Sequence, residues 1–247
     1  MTDWNALVLA GSRPGGDPLA QAAGVSSKAL IEIGGEPMLA RVVAALRAAG
    51  AARIAVVASD PPVVALAQRL GCETLPAETG PSESAAAGFA LLGAPMLLTT
   101  ADHALLRPEW VTDFLARCRP DADVAVLLAR RQSIARDAPG SKRSYWRFAD
   151  GDWSGCNLFC LATPRAGAAL GLWRQVEADR KRPWRIVSRL GFGLLLRYLA
   201  GRLTLADGVA HLGRRAGLAA QAVESPFGLA AVDVDKVADL ELVRGLV

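Results

Sequence analysis

Lys28, Asp102, Asp233 and Asp235 are the residues whose types and positions suit phosphate chemistry. The run "ALVLAG" (6–11) breaks into a loop containing Gly11, Gly15 and Gly16, and Lys28 follows at its far end. "LLTTAD" (97–102) stops at Asp102, and "AAVDVD" (230–235) delivers Asp233 and Asp235. Glycines let a backbone approach an anion closely with its N–H groups turned towards it. Two carboxylates holding Mg²⁺ against a polyphosphate are a common way to offset the charge of phosphoryl transfer. Each piece has a plainer alternative. The loop would be an exposed β-to-α turn, Asp102 a turn or N-cap aspartate, and Asp235 a helix cap. The loop is neither GxxxxGK[ST] nor GxGxxG, so the phosphate reading rests on the combination.

The elements that must position these residues follow from two alternating periods. Apolar, partly β-branched runs at 6–10, 53–58, 95–100 and 122–129 predict buried strands. Between them, 37–49, 61–71, 82–92 and 108–118 carry apolar residues at helical spacing. Pro108 suits a first helical turn and Glu109 a helix N-terminus. The expected fold class is α/β: a Rossmann-like, mainly parallel twisted sheet with helices on both faces. After residue 130 the rhythm changes. "SKRSYWRF" (141–148) and "CNLFCLAT" (156–163) predict strands, and 164–178 predicts a helix. A helical Arg- and Leu-rich stretch to about 215 follows, then strands at 217–223 and 229–234 and a closing helix. In such a sheet ligands lie beyond the carboxyl ends of the strands, which puts loops 11–28 and 100–107 on one cleft.

Composition narrows the function classes. A chain of 247 residues, 52% hydrophobic and 21% charged, has material for a core, and one domain over 1–247 is expected. Only His103 and His211 occur, which speaks against a multi-histidine metal site. Cys72, Cys118, Cys156 and Cys160 have no CxxC spacing, so free buried thiols are expected. The first residues show no basic, apolar and small-residue leader pattern, and no apolar run reaches the roughly 18 residues of a membrane span. A cytoplasmic protein is the expectation. The net charge is +4, and the basic residues gather in 129–148 and 173–190. Such clusters fit an anionic small substrate or membrane surface, and with no nucleic-acid-binding motif present no nucleic-acid partner is expected.

Four blocks in order, "LAG…K…GGEPML", "TGPSESAAAGFALL", "TTADHALLRPE" and "VDVDKVADLELV", resemble the MobA-like nucleotidyltransferases of the nucleotide-diphospho-sugar transferase superfamily. The matching residues of the first block are Leu9, Ala10, Gly11, Lys28, Leu30, Gly35, Pro37 and Met38. The resemblance covers 5–130 and 228–246. It implies a nucleotide- and metal-binding core over 1–130 and 228–247, and an inserted acceptor-binding subregion over 131–227. It places the metal aspartates on Asp102 and Asp235, with Asp233 beside them, and the catalytic cations on Lys28 and Arg13. Arg13 comes earlier than the family arginine, and Ala104 replaces the family proline. Nucleotide contacts are implied for Leu9, Ala10, Gly11, Ser12, Gly80, Ser82, Ser84 and Ala101. A helix N-cap is the alternative role of Ser82. Gly155 and Asn157 match the strand start that relatives set against the acceptor. Lys142, Arg143 and Arg147 would bind an acceptor phosphate or form a solvated basic strand.

The resemblance implies transfer of a nucleoside monophosphate from a Mg²⁺-bound NTP to a phosphorylated small molecule, with release of pyrophosphate. CTP is favoured over GTP because the long loop and large acceptor region differ from the compact guanylyl-transferring members. The alternatives are a molybdopterin-type guanylyltransferase, a related glycosyltransferase, and a non-catalytic nucleotide-binding module at a membrane surface. "TADH" lacks the D-x-D that the glycosyltransferase would want. In 180–205, Arg182, Arg185 and Arg189 fall at helical spacing beside Trp184, Phe192, Leu195, Leu196 and Leu199. That stretch packs on the sheet edge or in a homodimer, or it lies peripherally on the inner membrane surface.

Overall fold

The computed structural model describes residues 3–11, 15–179 and 191–247; Ser12, Arg13, Arg182, Trp184, Arg185 and Arg189 lie outside them. Strand β1 (Asn5–Leu9) leads through α1 (Pro18–Ala22) and a 3₁₀ turn at Lys28–Leu30 to a short hairpin, β2 (Glu32–Ile33) and β3 (Glu36–Pro37). Then come α2 (Met38–Ala48), β4 (Ile54–Val57), α3 (Pro61–Arg69), β5 (Glu73–Leu75), α4 (Pro81–Leu92), β6 (Met96–Thr100), α5 (Pro108–Arg117) and β7 (Val124–Arg130). Proline opens α3, α4 and α5, where its fixed φ and missing N–H cost nothing. The remainder is α6 (Arg131–Asp137), β8 (Trp146–Phe148), β9 (Gly151–Leu161), α7 (Gly167–Ala178), α8 (Phe192–Leu199), α9 (Leu205–Arg215), β10 (Ala220–Ser225) and α10 (Val237–Arg244).

Among the described residues the sheet runs β10-β7-β9-β6-β1-β4-β5, with β8 paired to β9. β1, β4, β5 and β6 are mutually parallel, as are β7 and β10; β9 lies antiparallel between β6 and β7. The chain is therefore α/β with a mainly parallel sheet, as the periodicity implies. Alternate residues of β1 feed opposite cores. Ala6 and Val8 pack with Val42 and Leu46 of α2, Phe114 of α5 and Leu240 of α10. Leu7 packs with Ala85 of α4 and Leu170 of α7 on the other face. The 131–227 stretch contributes β8, β9 and β10 to this same sheet. No helix among the described residues is long and apolar enough to cross a membrane.

Two strand expectations need correction. Residues 229–234 form no strand: Gly228–Ala231 is a 3₁₀ turn, and the chain after it joins no ladder. Its alternation reflects burial of Ala230, Val232 and Val234 in the core, which needs no neighbouring strand. Of 141–148, only Trp146–Phe148 pairs, because β9 offers β8 three partners, Trp153, Asp152 and Gly151.

Gly228 fixes where this last segment starts. A Cβ there would overlap the Ser133 carbonyl group of α6, and its N–H donates to Asp137 Oδ2 at 2.7 Å. Gly228→Ala is expected to cost about 1–3 kcal/mol, as overpacking against backbone does, read from urea unfolding midpoints.

Candidate active site

Lys28 stands at the centre of a cluster that three distant stretches of chain build. Buried Ile31, Ile33 and Met38 anchor the segment after it, and Ser26 Oγ donates to Asp60 Oδ2 at 2.6 Å before it. Its ammonium donates to Asp102 Oδ2 at 2.8 Å, Asp235 Oδ1 at 2.8 Å and the Val234 carbonyl at 3.3 Å. Three donors thus meet three acceptors. Asp17 Oδ2 adds a carboxylate at 4.0 Å, while its Oδ1 accepts from Leu19 N at the start of α1. Burial alone would lower the Lys28 pKa, but Asp102 and then Asp235 more than offset it, so the ammonium holds its proton above the ordinary lysine range. Val234 N donates to the Asp102 carbonyl at 3.0 Å, which ties the last segment to the loop after β6.

The alternative roles as caps do not match this geometry. The N-cap of α10 is Lys236, and Asp239 Oδ2 accepts from Lys236 N, so the Asp235 side chain is turned to Lys28 instead. Asp233 does not reach Lys28 in this way. It pairs with Arg143, and Asn157 Nδ2 donates to its Oδ2 at 2.7 Å. Burial raises the Asp233 pKa and Arg143 opposes that rise. Asn157 stands in a bulge of β9: Val126 pairs with Phe159 but Leu128 with Gly155, and Asn157 takes a φ of 50°. Bulges re-aim side chains beside sites; this one brings the amide to Asp233. Lys142, Arg143, Gly155, Asn157 and Asp235 line one cleft of about 310 Å³. Arg147 is exposed on β8 and is not among its walls.

β1 ends at Leu9, and Ala10 and Gly11 follow it. The Ala10 and Ala101 amides are committed to the sheet, donating to Val57 O and Leu9 O at 2.9 Å each. Gly15 and Gly16 have φ of 92° and 87°, a left-handed backbone that favours glycine. At the start of α4 the N-cap is Gly80, not Ser82. Ser82 is buried, and its N–H donates to Glu177 Oε2 at 3.2 Å; Ser84 Oγ accepts from Glu78 N at 3.0 Å.

The model of the MobA-like NTP transferase domain matches residues 6–191, three quarters of this chain. The chain belongs to that family. It is a nucleotidyltransferase. A hypothetical transferase from Thermus thermophilus is 34% identical, with a TM-score of 0.84 over 97% of this chain and 100% of that one. At 18% identity, CMP:2-keto-3-deoxy-manno-octonic acid synthetase in complex with CTP shares the fold, with a TM-score of 0.60 over 99% and 98% of the two chains. A nucleotidyl transferase from Methanothermobacter thermautotrophicus, 15% identical, gives 0.60 over 98% and 96%. No curated protein matches the chain.

Nucleotidyltransferases of this kind generally use a divalent metal. Among the described residues no group of three or more His, Cys, Asp or Glu is placed to hold one. The pair Asp102 and Asp235 nevertheless suits Mg²⁺, which takes one or two carboxylates and completes its shell with phosphate and water oxygens. Asp102 Oδ1 is buried and has no hydrogen-bond partner among the described residues. Asp17, Glu177, Trp146 and Lys236 escaped the sequence reading; of these only Asp17 carried a signal, an acidic residue before a proline at a helix start. Asp102→Asn and Asp235→Asn are each expected to weaken Mn²⁺ binding in the presence of NTP at least about tenfold, read by EPR. Wild-type affinity in both variants would remove the pair as the metal's ligands.

Proposed function

We propose that the protein transfers a nucleoside monophosphate, from CTP by preference, to the phosphate of a small acceptor and releases pyrophosphate. The observation that carries this reading is the Lys28 ammonium between Asp102 and Asp235, at the edge of the cleft that Arg143 and Asn157 also line. An acceptor phosphate oxygen attacks the α-phosphorus in line. A new P–O bond forms, the α–β bridging bond breaks, and pyrophosphate leaves with the electron pair. Lys28 offsets the charge that builds on the α-phosphoryl oxygens, and Asp102 and Asp235 hold Lys28 in place beforehand. Mg²⁺ held by Asp102 and Asp235 would supply charge neutralisation across the phosphates. Gly11, Gly15 and Gly16 would cradle the triphosphate, with Ser82 and Ser84 near the base. Asp233 acts indirectly, by fixing Arg143 and Asn157 on the acceptor side.

Membrane contact is the reading for the 180–205 stretch that its charge favours. From Arg180 to Thr204 the sequence has seven cations and no carboxylate. On α8, Phe192, Leu196 and Leu199 are 67%, 51% and 71% exposed. An exposed apolar face in a stretch whose sequence is rich in cations suits an anionic bilayer, and through it an acceptor destined for a lipid headgroup; a homodimer would cover the same face.

Three measurements test these statements. A thermal-shift screen of the four NTPs with Mg²⁺ is expected to give the largest rise with CTP. Lys28→Ala is expected to lower kcat by about 10²–10³-fold with little change in KM for the NTP; a raised KM at unchanged kcat would make Lys28 a ground-state binder. Sedimentation with anionic vesicles should pellet the protein at low salt and release it at high salt, whereas recovery in the supernatant at both would leave α8 to a protein interface.

A further inference from the structure

The acceptor cleft has two lysines, Lys142 and Lys236, among its walls that its carboxylates leave unpaired. It adjoins a second cavity of about 200 Å³, which Asp235 does not line, and the two share Lys142, Lys236 and Asp239 as walls. The other charged groups here already have partners. Arg143 is paired with Asp233, Lys28 has its three acceptors, and the Asp239 carboxylate accepts from the backbone of Asp235 and Lys236 at 3.2 and 3.0 Å. Lys142 and Lys236 are exposed and form no ion pair among the described residues. Beside them the Ser141 hydroxyl is buried with no hydrogen-bond partner among those residues, and it lines the smaller cavity. Trp146 is 56% exposed and forms a wall of the larger one, its ring lying over Gly155. Asp235, Arg143, Asn157, Trp146 and the two lysines thus line one cleft, and Ser141 lines the cavity that adjoins it.

We infer that the acceptor carries a second anionic group, a carboxylate or a phosphate, which Lys142 and Lys236 bind across a short carbon skeleton from the reacting phosphate. This rests on the transfer reaction proposed above and narrows its substrate class. An ammonium is a compact charge with three donors and accepts either anion, so the lysines select for charge and position. Trp146 limits what lies between to a skeleton with an apolar edge or face.

Three probes with related three-carbon skeletons separate the cases: glycerol 3-phosphate with one anionic group, 3-phosphoglycerate with an added carboxylate, and glycerol 1,3-bisphosphate with an added phosphate. Isothermal titration of each into the wild-type protein is expected to show at least one two-anion compound binding about tenfold tighter than glycerol 3-phosphate. Whichever of the two binds tighter names the second group. Lys236→Gln is expected to remove that advantage while glycerol 3-phosphate affinity stays within about twofold. Equal affinity for all three in the wild type, no binding by any of them, or an advantage that survives Lys236→Gln would each overturn the inference. A second-anion preference in a protein that releases no pyrophosphate from any NTP would count against the transfer reaction instead, because the titration needs no turnover.

Discussion

The site depends on one half-buried cation having to satisfy three acceptors from two distant places. Lys28 follows the first loop; Asp102 lies in the turn after β6; Val234 and Asp235 come from the segment before α10. A lysine so enclosed would be expensive without partners, and two carboxylates this close would repel each other without it. The three stretches are therefore held to one arrangement by charge as well as by packing. The flanking contacts serve that arrangement: Ser26 on Asp60 before the lysine, and Val234 N on the Asp102 carbonyl behind it.

A second ion pair, Arg143 with Asp233, does similar work on the acceptor side but with a different chemical consequence. Lys28 is a point charge, and the carboxylate oxygens around it include one, Asp102 Oδ1, that makes no hydrogen bond among the described residues. Arg143 and Asn157 occupy Asp233 from two directions, one by charge and one by an amide that the β9 bulge re-aims. The two aspartates of "VDVD" are thus divided between two tasks. The division requires the segment to leave strand geometry, since in a strand residues two apart point the same way.

That point marks where sequence and structure part. The parallel core was legible because buried strands and amphipathic helices repeat at periods that leave little choice; Asp102 was legible because it stands where such a run ends, and Lys28 as the lysine at the far end of the glycine-containing loop. Asp235 was legible as a residue near a strand end, although no strand is there. Asn157 was matched by resemblance, yet its mechanism was hidden: nothing in "SGCNLFCL" announces a bulge, which depends on the register against β7. The place of β9 was hidden for the same reason, since periodicity reveals that a segment is a strand without naming its neighbours. Trp146 and Lys236 look like ordinary surface residues until the fold sets them in one cleft.

The antiparallel insertion of β9 between β6 and β7 bears on how such a protein can diversify. Its 131–227 stretch cannot be exchanged like a cassette, because removing it would take a central strand and one edge of the sheet with it. New specificities must instead arise by small edits along 138–146 and at the entry to α10, where side chains face the cleft and the hydrogen-bonded ladder is short. Divergence of this kind would leave the backbone almost superimposable while the chemistry at its margin drifts, so shape comparison would group such enzymes together long after their substrates had separated.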